Sequence, residues 1–105
     1  MLTKEKINQI KNVIVKNIDP EKIYLFGSYA DNTAKEHSDI DLVVIINSDL
    51  NPHQRNMSIR RLFPKRDFSL DVFAYTPEEE KKYKDVKSTI LYSAAKKGIV
   101  LYERQ

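Results

Sequence analysis

Cysteine is absent from the 105 residues, which excludes disulfides, thiolate catalysis and sulfur-ligated zinc together. Any metal must therefore sit on oxygen or imidazole. No apolar run approaches the ~20 residues of a membrane span, and the opening "MLTKEKINQI" lacks the apolar core of a secretory signal. The expectation is a cytoplasmic protein with no membrane partner. A strong charge of one sign is also missing: 18 basic residues against 15 acidic ones give a net charge of +3. That suits attraction to phosphates without demanding nucleic acid. Glycine is scarce, at Gly27 and Gly98 alone, so Gly27, directly after an apolar run, stands out.

What is present describes a folded chain, with 41% hydrophobic and 31% charged residues spread along its length. Such a length builds about one core, and we expect a single domain over residues 1–105. Ile7, Ile10, Ile14 and Ile18 recur at helical spacing behind Thr3, a capping residue, and Pro20 ends that helix. "KIYLF" reads as a short buried strand that stops at Gly27-Ser28, followed by a brief helical turn through "SYADNTAKE". "DIDLVVII" has the β-branched, almost wholly apolar character of a strand covered on both faces. Pro52 opens a second helix that stops before Pro64, and "FSLDVFAY" is a third strand. Thr76, Pro77 and Glu79 form the signature of a capped helix start. A further helical stretch, "STILYSAAKK", ends at Gly98 as C-cap, and "IVLYE" closes the chain as a strand. The expected class is α/β (α+β), a small mixed sheet flanked by helices.

Two carboxylates interrupt the second strand. Side chains two apart on a strand share a face, with Cα atoms about 6.6 Å apart, so Asp39 and Asp41 repel each other by roughly 2 to 3 kcal/mol at an effective dielectric of ~20. Two readings stand: solvated residues at an exposed strand start, or ligands of a divalent cation. Mg²⁺ prefers oxygen ligands and takes one or two carboxylates with phosphate oxygens and water. If the strand holding Asp71 pairs beside the first, Asp71 completes a three-carboxylate cluster of the kind that serves two-metal phosphoryl or nucleotidyl transfer. Gly27-Ser28 reads either as a plain tight turn or as a place where backbone approaches a phosphate.

Gly27-Ser28, ten intervening residues, Asp39-Ile40-Asp41, and Asp71 thirty positions on together resemble the motif of the DNA polymerase β nucleotidyltransferase superfamily. More narrowly, "GSYADNTAKEHSDIDLVV" looks like the minimal nucleotidyltransferases, the MNT domains paired with helical HEPN proteins. The resemblance implies the polymerase β-like nucleotidyltransferase fold. It also implies that Gly27 and Ser28 hold the β- and γ-phosphates of ATP, that Asp39 and Asp41 bind two Mg²⁺ ions, and that Asp71 ligates the catalytic metal and helps activate the acceptor hydroxyl. The implied activity is transfer of AMP from ATP to a hydroxyl on a partner such as a HEPN toxin, with this chain as antitoxin. A partner or a second copy of the chain would hold the acceptor. A silent antitoxin acting by contact, or transfer to a small molecule such as an aminoglycoside, are the alternatives. Family members often carry Arg-Gly after the Gly-Ser; Asp31-Asn32 stands here, which leaves reduced activity open.

Arg55, Arg60, Arg61, Lys65 and Arg66 form a basic cluster, read either as a solvated helix face or as a surface for phosphates, RNA or an acidic partner. His37 and His53 lack metal-ligand spacing. Tyr24, Tyr29, Tyr75 and Tyr92 are expected in or around the core.

Overall fold

Thr3 caps the first helix by accepting from the amide of Lys6, and α1 (Lys4–Ile18) lays Ile7, Ile10 and Ile14 against a sheet. The computed structural model describes residues 1–65 and 67–105. Burying each such isoleucine is worth about 1.5 to 3 kcal/mol, enough to dock the helix against its ordering cost. Asp19 ends α1 in the left-handed conformation, and the buried Pro20 turns the chain into β1 (Lys22–Phe26). A single 3-10 turn, Gly27–Tyr29, follows, so the helical turn expected through residue 36 is shorter than its sequence suggested. β2 (Ile40–Ile45), α2 (Pro52–Arg60), β3 (Leu70–Tyr75), α3 (Pro77–Tyr83), α4 (Ile90–Lys97) and β4 (Ile99–Glu103) complete the order.

The four strands run in the order β3-β2-β1-β4. β1 is antiparallel to β2 and β4, whereas β2 and β3 are parallel, so the sheet is mixed as expected. β2 lies inside it, and Ile40, Leu42, Val43, Val44 and Ile45 are buried on both faces. One face carries Ile23, Leu25, Leu42, Val44, Val72 and Ala74 against α1 and Ile59 of α2. The other carries Tyr24, Val43 and Ile45, with Phe26, Phe73 and Tyr75 partly covered, against Leu91 and Ala94 of α4.

α2 does more than cover a face. Asn56 Oδ1 accepts from the Ala74 amide at 2.8 Å, and Arg55 Nη1 donates to the Ala74 carbonyl at 3.1 Å, so the helix satisfies the outer edge of β3. Arg55 is only 3% exposed, and also donates to the Leu50 carbonyl and to both carboxylate oxygens of Glu79. The cluster reading of this residue needs correction: Arg55 is neither a solvated cation nor a free phosphate ligand but the buried clamp between α2, β3 and α3. Gly98 is the C-cap of α4 as expected, with an extended backbone whose amide donates to the Ala94 carbonyl. A Cβ there would lie 2.5 Å from the Ala94 carbonyl oxygen and 2.6 Å from that of Leu25. Gly98 therefore lets the end of α4 close onto β1. Among the described residues no helix is long and apolar enough to cross a membrane.

Candidate active site

The parallel pairing of β2 with β3 sets Asp41 and Asp71 side by side as register partners, and the antiparallel pairing sets Phe26 opposite Asp41 on its other flank. Alternation along each strand puts both carboxylates on the face that carries Val43, Ile45, Phe73 and Tyr75. Phe26 and Phe73, with ring centroids 6.1 Å apart, supply apolar surface beside them. Asp39 differs from its expected place. The ladder begins at Ile40, whose amide donates to the Ser69 carbonyl, so Asp39 stands just before β2 and is exposed. Asp39 is exposed at the strand start, whereas Asp41 is half-buried.

Burial first, then the negative charges of Asp71 and Asp39 and a hydrogen bond with the Asp71 carboxylate, push the Asp41 carboxyl up to about 6. Neighbouring like charges favour the protonated form of one partner. The donor set is all oxygen and anionic, the kind that hard divalent cations select. Among the described residues, however, no group of three or more carboxylates or histidines is gathered tightly enough to hold a metal ion. Part of the reason is visible: Asp71 Oδ1 faces Arg60 Nη2 at 3.6 Å, and Asp39 extends into solvent.

Gly27 meets this cluster from the end of β1. Its φ is +74°, a conformation that side chains resist, and a Cβ would lie 2.3 Å from Asp41 Oδ2. Glycine is thus required twice over, by the turn and by the carboxylate. The carbonyl of Gly27 accepts from the amides of Ala30 and Asp31, and that of Ser28 from Thr33, folding the loop back on itself. Ser28 lies within the 3-10 turn and does not cap it. Asn32 takes a left-handed φ of 64°, a conformation that asparagine tolerates. The Asp31 carboxylate accepts from the Thr33 amide at 3.1 Å, so this acid is engaged in closing its own turn.

The remaining candidates separate. Arg60 joins the carboxylates, Arg61 and Lys65 are exposed, and Arg66 lies outside the described residues. His53 is exposed. An open depression of about 660 Å³ lies near the start of α1, lined by Tyr29, His37, Ser38, Phe68 and Ser69 among others. It adjoins the cluster through Ser38 and Ser69, but the three aspartates are not part of its wall.

A mixed sheet that sets Asp41 and Asp71 on neighbouring strands, with a glycine turn against Asp41, frames the candidate site of a nucleotidyltransferase domain. Residues 8–105 match the family described as "Polymerase beta, Nucleotidyltransferase", and the chain belongs to it. Spectinomycin 9-adenylyltransferase of Enterococcus faecalis is 30% identical over 64 residues, which cover 59% of this chain and 25% of that enzyme. The chain thus spans about a quarter of this curated relative's length. A toxin–antitoxin crystallised with AMP-PNP superposes with a TM-score of 0.67 at 25% identity, over 93% of this chain and 73% of the other. A tri-AMPylated HEPN toxin of Shewanella oneidensis in complex with its MNT antitoxin contains a similar fold, with a TM-score of 0.61 at 22% identity, over 96% and 74% of the respective chains.

Proposed function

We propose that the chain transfers the AMP unit of ATP to a hydroxyl group on a helical partner protein, as an antitoxin of the MNT type. The observation that carries the proposal is the Asp41–Asp71 register pair with Gly27 set against Asp41 Oδ2. In this reading the neighbouring carboxylates Asp41 and Asp71, joined by Asp39 once it turns in from solvent, would hold Mg²⁺, and Gly27 and Ser28 would receive the β- and γ-phosphates. When bound, the metal supplies charge neutralisation of the phosphates and of the departing pyrophosphate. The residues do the rest. Gly27 keeps the space beside Asp41 open, and Phe26 and Phe73 exclude water from one side of the carboxylates. Asp71 accepts the proton of the acceptor hydroxyl as its oxygen bonds to the α-phosphorus. The bond from the α-phosphorus to the bridging oxygen breaks, and pyrophosphate leaves with that electron pair.

The toxin–antitoxin relative with AMP-PNP supports a nucleotide and a toxin partner, and the adenylyltransferase relative supports the reaction type. The engagement of Asp31 with Thr33 and the left-handed Asn32 support an intact turn in place of the usual Arg-Gly. The test uses ATP labelled at either the α- or the γ-phosphate, with Mg²⁺ and a helical HEPN-type protein as acceptor. Label from the α position is expected on the partner and label from the γ position in pyrophosphate. Asp39→Ala and Asp41→Ala should abolish transfer while the domain stays folded. Full activity in both variants would rule the assignment out, and transfer to spectinomycin alone would move the acceptor to a small molecule.

A further inference from the structure

Arg60 is the last residue of α2, and that helix lies along the outer edge of β3, held there by Asn56 and Arg55 at Ala74. From residue 56 to residue 60 the helix advances about 6 Å, toward the beginning of the strand where Asp71 stands. The side chain of Arg60 thus meets Asp71 from the side opposite Asp41. The third carboxylate consequently lies between a like charge and an unlike one. At 3.6 Å the contact is an ion pair held through space, too long for a hydrogen bond that would occupy the oxygen's lone pairs. Arg60 Nε is enclosed with no hydrogen-bond partner among the described residues, while the Arg60 and Asp71 side chains are 40% and 42% exposed, so the attraction of Asp71 acts on a guanidinium partly open to water. No family motif named above includes this residue, and its position depends on α2 covering a strand edge.

We infer that Arg60 is the positioning residue of the third carboxylate: it holds Asp71 against repulsion from Asp41 in the metal-free protein and weakens the cluster's hold on a divalent cation. The inference rests on the proposed nucleotidyltransferase reading, in which these acids are metal ligands. A unit positive charge one carboxylate away from a divalent cation, with water on one side, changes the cation's affinity by roughly three- to tenfold. Arg60 therefore offsets the repulsion between Asp71 and Asp41 and competes with a cation for Asp71, so that the cluster takes a cation only weakly by itself.

The experiment is titration of the nucleotide-free protein with Mn²⁺, read by the electron paramagnetic resonance signal of the free ion. Arg60→Ala should bind Mn²⁺ about three- to tenfold more tightly than the wild type, and Arg60→Lys, which keeps the charge, should stay within about twofold of it. Equal or weaker binding by Arg60→Ala overturns the counter-charge role. The thermal midpoints of Arg60→Ala, Asp71→Asn and the double variant, measured in chelator, provide the second test. Non-additive shifts are expected, and strict additivity overturns the positioning role. If no protein binds Mn²⁺, the proposed function fails, and the stability cycle still decides whether Arg60 holds Asp71.

Discussion

Asp41→Asn should make the metal-free domain more stable at alkaline pH, although the residue stands at the centre of the proposed site. The carboxyl of Asp41 is raised from 3.8 to about 6, so the folded protein holds this proton more tightly than the unfolded chain does. The sign follows directly. Below about pH 4 both states are protonated and nothing is lost; between about 4 and 6 the unfolded chain ionises first, and above about 6 the folded state carries a charge it disfavours. A shift of roughly two units corresponds to about 3 kcal/mol at most. Asp41 is half-exposed, and solvent screening reduces the figure to about 1 kcal/mol. The asparagine has nearly the same shape and can donate to Asp71 as the protonated acid does. Urea denaturation followed by circular dichroism, in chelator at pH 4, 6 and 8, should show a gain of about 1 kcal/mol at pH 8, or a few degrees in thermal midpoint, that vanishes near pH 4. Added Mg²⁺ should stabilise the wild type and narrow the gap, since it binds the folded carboxylates. A variant no more stable than the wild type at pH 8, or equally stabilised at pH 4, refutes the reasoning.

Gly27→Ala should destabilise the domain by about 2 kcal/mol, combining left-handed backbone strain with the approach of its Cβ to Asp41 Oδ2. Adding Asp41→Ala should restore part of that loss in urea midpoints, because it removes the collision and leaves the strain; no restoration would mean that the carboxylate is not what Gly27 accommodates. Arg55→Ala should cost about 3 to 5 kcal/mol, since Glu79 and the carbonyls of Ala74 and Leu50 lose their shared donor. A loss below about 1 kcal/mol in the same assay would show that the clamp is dispensable.

Most of the elements were legible because their signals are local. Thr3 and the Thr76-Glu79 pair mark helix starts through bonds spanning three residues, Pro52 marks one by its fixed φ at the first helical position, and the isoleucines of α1 show their buried face by spacing alone. β2 was readable from the β-branched apolar run that follows Asp41, as suits a strand with two covered faces. The candidate residues stood out by their spacing, but their geometry did not. Pairing of Asp41 with Asp71 depends on β2 and β3 aligning in parallel across an intervening helix, and no local pattern encodes that alignment. The arginines of α2 were opaque for the same reason. In sequence Arg55 and Arg60 belong to one run of cations, yet the edge of β3 buries the first and the start of that strand draws the second to Asp71. Gly27 was marked by its isolation and read as space for a phosphate, while the neighbour the structure sets beside it is a side-chain oxygen.

Because the two neighbouring acids are rungs of the same ladder, sheet alignment and chemistry cannot drift apart. Sliding β3 by one residue would bring Leu70 or Val72 beside Asp41, turn Asp71 toward the apolar interior and push a leucine or valine out toward water. A misaligned chain would be penalised by its own core before it could persist as an inactive but well-folded impostor, so correct folding and an assembled carboxylate pair arrive in the same event.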